Sequence, residues 1–104
     1  MLSKDDIIPL DKLPRKQDVI AVYVRPEVAI FARKMHEKLN DNDHKGGWDN
    51  CSFEFLMGRL LEEVSELYIE LYNGNSDSVI SEAADVANFA MMIADQAGKV
   101  NDPQ

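Results

Sequence analysis

The stretch from residue 77 to residue 97 constrains this chain most. Val79, Ile80, Ala83, Ala84, Val86, Ala87, Phe89, Ala90, Met91, Met92, Ile93 and Ala94 fill it, with no glycine or proline between Asn75 and Ala97. Its length and composition read as a helix. Wound at about 100° per residue, those side chains surround the helix almost completely. A helix apolar on all sides is buried on several of them. A single chain of 104 residues supplies few helical neighbours, so the segment predicts a dimer or higher oligomer. The alanines permit close approach of another helix. Glu82, Asp85 and Asn88 nevertheless interrupt the apolar surface. A charge buried without a partner is too costly to keep, so these groups need an explanation.

The preceding helix, expected over residues 52–72, supplies one. Leu56, Leu60, Val64, Leu67 and Leu71 mark the centre of its apolar stripe. Glu63 lies at the stripe's edge, Glu66 and Glu70 step outward from it, and Glu62 points further away. Asn73-Gly74-Asn75 turns the chain, with Gly74 as C-cap and Ser76 or Asp77 starting the next helix. Residues three apart on a helix share a surface. Glu63 with Glu66, and Glu82 with Asp85, would therefore bring four carboxylates together across an antiparallel pair. Four close anions titrate abnormally unless a cation sits among them. An all-oxygen set suits Mg²⁺, with Mn²⁺ as a substitute, rather than zinc. A di-iron carboxylate bundle needs Glu-x-x-His pairs, but Arg33 stands three residues before His36, and His44 falls in a loop. Cys51, beside the start of the second helix, is read as a packed thiol rather than a nucleophile.

The remaining chain is simpler. Pro9 and Pro14 break any long helix in residues 1–24, an N-terminal arm in which residues 18–24 form a strand or an extended segment. Arg25-Pro26-Glu27 opens the first helix. Val28, Phe31, Ala32, Met35 and Leu39 form its stripe, and Asn40-Asp41-Asn42-Asp43 stops it. His44-Lys45-Gly46-Gly47-Trp48 is a loop with two readings. In one, Lys45 meets phosphate and Trp48 stacks on a base. In the other, a flexible turn plugs its tryptophan into the core. The helical core is expected over residues 25–98 and a frayed tail over 99–104, all in one domain. The net charge of −8 argues against binding nucleic-acid polymers or anionic membranes. The single cysteine suits a reducing compartment, and no run of membrane-spanning length is present. A soluble cytoplasmic protein is expected. In an acidic protein, a metal is what lets an anion such as a polyphosphate bind.

Lys45-Gly46-Gly47-Trp48, then Glu62-Glu63-x-x-Glu66, then Glu82-x-x-Asp85 in a helix-loop-helix resembles the MazG-like, all-α nucleoside triphosphate pyrophosphohydrolase superfamily, in its short phage and bacterial form. The resemblance covers about residues 26–98. It implies an all-α bundle completed by dimerisation, as a homodimer or homotetramer. It also implies Mg²⁺-dependent hydrolysis of a nucleoside triphosphate to monophosphate and pyrophosphate, which cleans or rebalances a nucleotide pool. Carried over by motif, Glu63, Glu66, Glu82 and Asp85 would be metal ligands. Glu62 and Glu63 would serve catalysis, Glu62 supporting the site or handling the attacking water. Lys45 would meet the phosphates, Trp48 the base, and Asn88 the nucleotide or a water. The family's basic residues after the second acidic helix have no match here beyond Lys99, so phosphate-binding cations fall to Arg33, Lys34, Arg59 or another subunit. A non-catalytic helical oligomer that binds nucleotide or a partner protein is the alternative class.

Overall fold

The computed structural model describes residues 21–100, and these form an all-α arrangement of three helices. Helix α1 spans Pro26–Asp41, α2 spans Phe53–Asn73 and α3 spans Ser76–Val100, with one 3-10 turn at Asp43–Lys45 between α1 and α2. Most of the N-terminal arm, residues 1–20, lies outside the described residues, as do residues 101–104 of the tail. Residues 21–25 form neither strand nor helix. None of the described helices is long and apolar enough to cross a membrane.

Local chemistry sets the helix ends. Proline opens α1, with Glu27 in its first turn and Lys38 in its last, both favourable to the helix dipole. Ser52 caps α2 by accepting the Phe55 N–H at 3.1 Å. Asp49, three residues earlier, pairs with Lys99. Gly74 ends α2 with φ −90°, so handedness is not why glycine is needed there. A Cβ at Gly74 would meet the Glu70 carbonyl oxygen at 2.9 Å, and the requirement is one of close approach. Among the described glycines, Gly46 is the one with positive φ, at 87°, a conformation side-chain-bearing residues resist. The cap of α3 is Asn75, whose Oδ1 accepts the Ser78 N–H at 2.9 Å, one residue before the expected start.

Two expectations need correction. Helix α3 does not stop at Gly98 but continues to Val100. A glycine inside a helix costs only about 1 kcal/mol, and Lys99 is held there by ion pairs to Asp95 at 2.9 Å and Asp49 at 2.6 Å. The buried line of α2 is also not the expected stripe. Leu56 and Glu63 are buried, Leu60 and Leu67 are half-buried, and Val64 and Leu71 are exposed. The apolar arc of α2 is wider than one neighbouring helix can cover.

Helix α3 lies centrally. Both α1 and α2 pack on it, while α1 and α2 do not pack on each other. The short connection makes α2 and α3 an antiparallel hairpin. Among the described residues, Leu56 and Ala84 are the buried apolar side chains, joined by Glu63 and Asn88 as buried polar ones. No residue of α1 is buried. Most of α3 is half-buried, with Ile80, Ala90 and Ala94 exposed.

Candidate metal centre and adjoining cavity

The hairpin brings together Glu63 and Glu66 from α2 and Glu82 from α3. One carboxylate oxygen from each lies within 4.8 Å of the others. Glu63 is 6% exposed and Glu82 half-buried, while Glu66 faces outward. Oε2 of Glu63 and Oε2 of Glu82 are buried without a hydrogen-bond partner. Buried oxygens normally find one. Burial pushes the Glu63 carboxyl up to about 8, and Glu66, Asp85 and Glu82 beside it push the same way. Burial also raises Glu82, with Glu66 and Asp85 adding to the effect and the neighbouring Glu63 opposing it. Glu63 therefore retains a proton that an ordinary glutamate would have lost. Three convergent oxygen ligands with two orphaned buried atoms fit a hard divalent cation.

The other two acids of the motif stand apart from this group. Asp85 Oδ2 is 3.3 Å from Nζ of Lys38, which reaches across from α1. The same ammonium donates to Ser81 Oγ at 2.8 Å. Asp85 remains close enough to raise the proton affinity of Glu63 and Glu82, but its carboxylate is committed to the lysine. Glu62 is exposed and takes the Arg59 guanidinium on its outer side. Arg59 also bonds Glu63 Oε1 at 3.2 Å and lies over the Phe89 ring, 5.3 Å from its centre.

A cavity of about 480 Å³ opens beside the cluster, reaching it at Glu63, with Asp85 also in its lining. Trp48, Phe55, Leu56, Phe89 and Met92 supply its apolar walls, and Lys38, Lys45 and Arg59 its cations. Of the residues expected at a substrate site, Lys45, Trp48 and Asn88 all line it. Trp48 is anchored rather than loose. Its indole N–H donates to Asp95 Oδ2 at 2.8 Å, and Gln96 Nε2 donates to the backbone carbonyls of Trp48 and Cys51. Asn88 is 4% exposed and donates Nδ2–H to the Met35 carbonyl at 3.1 Å, leaving Oδ1 buried without a partner. It ties α3 to α1 beneath the cavity. Arg33 and Lys34 are not among the lining residues, and Lys34 pairs with Glu37 on its own helix.

Sequence reasoning missed Lys38, Phe55, Phe89, Asp95 and Gln96. Phe55 and Phe89 carried no sign beyond ordinary apolar patterning. The polar set Asp95, Gln96 and Lys99 was a usable signal, since it puts neighbouring hydrogen-bonding groups on an otherwise apolar helix. Nothing in the spacing of α1 marked Lys38, because reaching α3 depends on how two helices cross.

No protein-family model, curated protein or solved structure matches this chain.

Proposed function

We propose that this chain is a Mg²⁺-dependent nucleoside triphosphate pyrophosphohydrolase of the MazG-like all-α type, working as a homo-oligomer. The observation that carries the reading is Glu63, a buried carboxylate with an orphaned oxygen at the junction of an acidic cluster and an aromatic, cation-lined cavity. Glu63, Glu66 and Glu82 would hold the ion, and Asp85 would join them on release from Lys38. Bound there, a divalent cation would neutralise phosphate oxygens and make a bound water more acidic. Trp48 provides a flat face for a base within the cavity. That arrangement orients the nucleotide, with phosphates toward Glu63 and the base toward Trp48. Hydrolysis adds one water across the α–β anhydride. The water oxygen bonds to the α-phosphorus, the bridging oxygen leaves with pyrophosphate, and the water's proton passes to a carboxylate. Glu62, outside the ion's proposed ligands, is the acceptor the motif assigns, with Arg59 beside it.

The homo-oligomer is supported by the outer face of α2, where Phe53, Met57, Leu61, Val64, Tyr68, Leu71 and Tyr72 are all exposed. Contiguous apolar surface of this kind marks interaction sites. The Lys38–Asp85 pair favours a second reading, a nucleotide-binding oligomer without turnover, because it withholds the fourth expected ligand. A product assay decides between the two. Purified protein is incubated with ribo- and deoxynucleoside triphosphates, with Mg²⁺ and then with EDTA. Monophosphate plus pyrophosphate, abolished by EDTA, is the expected result. Diphosphate plus phosphate would keep the metal site and reject the α–β cleavage. Binding without turnover would select the second reading.

A further inference from the structure

We propose that Lys38 is the residue that grips the substrate's phosphates, with Asp85 and Ser81 as its resting partners in the ligand-free protein. The proposal rests on the nucleotide reading above and adds a residue that the sequence motifs do not mark. Lys38 lines the cavity together with its partner Asp85. Its side chain is 23% exposed, so its ammonium is partly stripped of water and needs an anionic partner. It has one carboxylate partner, Asp85 at 3.3 Å, and one neutral partner, Ser81 Oγ at 2.8 Å. An ammonium carries three donors, and these contacts use two.

The other cavity cations are placed differently. Arg59 is already shared between Glu62 and Glu63 and lies over Phe89. Lys45 is exposed on the loop. Lys38 alone, among the described cavity cations, pairs with Asp85, the assigned ligand that stands outside the three-glutamate cluster. When Asp85 turns toward a divalent cation, the ammonium loses its counter-charge at the place where the phosphates of a nucleotide would enter. A polyphosphate replaces that charge. A flexible stem ending in a point charge suits this exchange better than a rigid guanidinium does.

The test compares Lys38→Met, Lys38→Arg, Ser81→Ala and Lys34→Met with the unaltered full-length chain by calorimetry. The probes are Mg²⁺ alone, then, in Mg²⁺, the α,β-methylene analogues of the four common deoxynucleoside triphosphates and the matching nucleosides. Charge-assisted hydrogen bonds of this kind are worth about 1.5–3 kcal/mol. Lys38→Met is therefore expected to weaken the triphosphate analogue by about 10- to 100-fold, leave nucleoside binding unchanged, and leave Mg²⁺ binding equal or tighter. Lys38→Arg restores most of the triphosphate affinity, and Lys34→Met changes nothing. Equal weakening of nucleoside and triphosphate would assign Lys38 to packing and overturn the proposal, as would unchanged triphosphate binding. If Lys38→Met does not fold, Ser81→Ala still decides. It removes a resting partner only, so triphosphate affinity should hold or rise, and a loss there overturns the exchange. An unaltered chain that binds no triphosphate at all rejects the nucleotide reading itself.

Discussion

The two faces of α2 invert the ordinary distribution of side chains in opposite ways. The inner face buries Glu63 against α3, within reach of Glu66 and Glu82. The outer face leaves Leu61 58% and Tyr68 61% exposed, in a band that runs from Phe53 to Tyr72. One helix thus hides a carboxyl group and displays its apolar surface. Each inversion costs free energy in the isolated chain, and each is relieved by a different kind of partner. A buried carboxylate cluster is relieved by a cation, and an exposed apolar band by another apolar surface. The contrast teaches that burial alone does not locate function here. The useful sign is a side chain whose surroundings disagree with its chemistry.

Breaking the inner face should have the largest effect. Glu63→Gln removes a proposed metal ligand while keeping the side chain's size. A metal ion's electrostatic contribution to such chemistry is several kcal/mol, and each 1.36 kcal/mol is tenfold in rate. Metal-dependent turnover should fall by at least about a hundredfold, measured as pyrophosphate release, and Mg²⁺ affinity should fall with it. Unchanged turnover would remove the cluster from the mechanism.

The pH dependence of stability sharpens the same face without a mutation. The Glu63 carboxyl holds its proton up to about pH 8 in the fold, against an ordinary value of 4.5. Between those values the native state binds more protons than the unfolded chain, so stability falls as pH rises. The metal-free protein should lose a few kcal/mol across that window, a drop in melting temperature on the order of 10 °C. Saturating Mg²⁺ should remove most of the loss, because the ion binds the deprotonated carboxylates and releases their protons. Thermal melts at pH 5 and pH 8, with and without Mg²⁺, measure it. A metal-free stability that rises through this window would refute the burial of a protonated Glu63.

The outer face should give the smallest effect and leave the inner one untouched. Leu61→Glu places a charge in the apolar band. Burying a leucine is worth about 1.5–3 kcal/mol, so self-association should weaken by roughly tenfold or more, read by light scattering across a dilution series. The pH window of the melt should stay where it was. An oligomer that tolerates Leu61→Glu assembles through a different surface.

Much of this molecule was legible in the sequence. The helices followed from apolar spacing, from Pro26 and from the turn at Gly74. The convergence of Glu63, Glu66 and Glu82 followed from acid pairs three residues apart on two helices joined by a short turn. Other features were not legible for identifiable reasons. The apolar arc of α2 spans more than one neighbour can cover, so spacing alone could not tell which leucines would be buried. Asp95, Gln96 and Lys99 fasten the loop around Trp48 from α3, and such pairings join residues nearly fifty positions apart.

What the sequence alone determined was therefore the helical class, the element order and the supply of carboxylates, because these depend on local periodicity and on turn chemistry. Tertiary structure decided the rest. It buried Glu63 and left Val64 exposed, and it fixed the indole of Trp48 to Asp95. It also carried Lys38 from α1 to Asp85 on α3. Those outcomes depend on how the helices cross, and a one-residue rotation of α2 or α3 would move each side chain by about 100°.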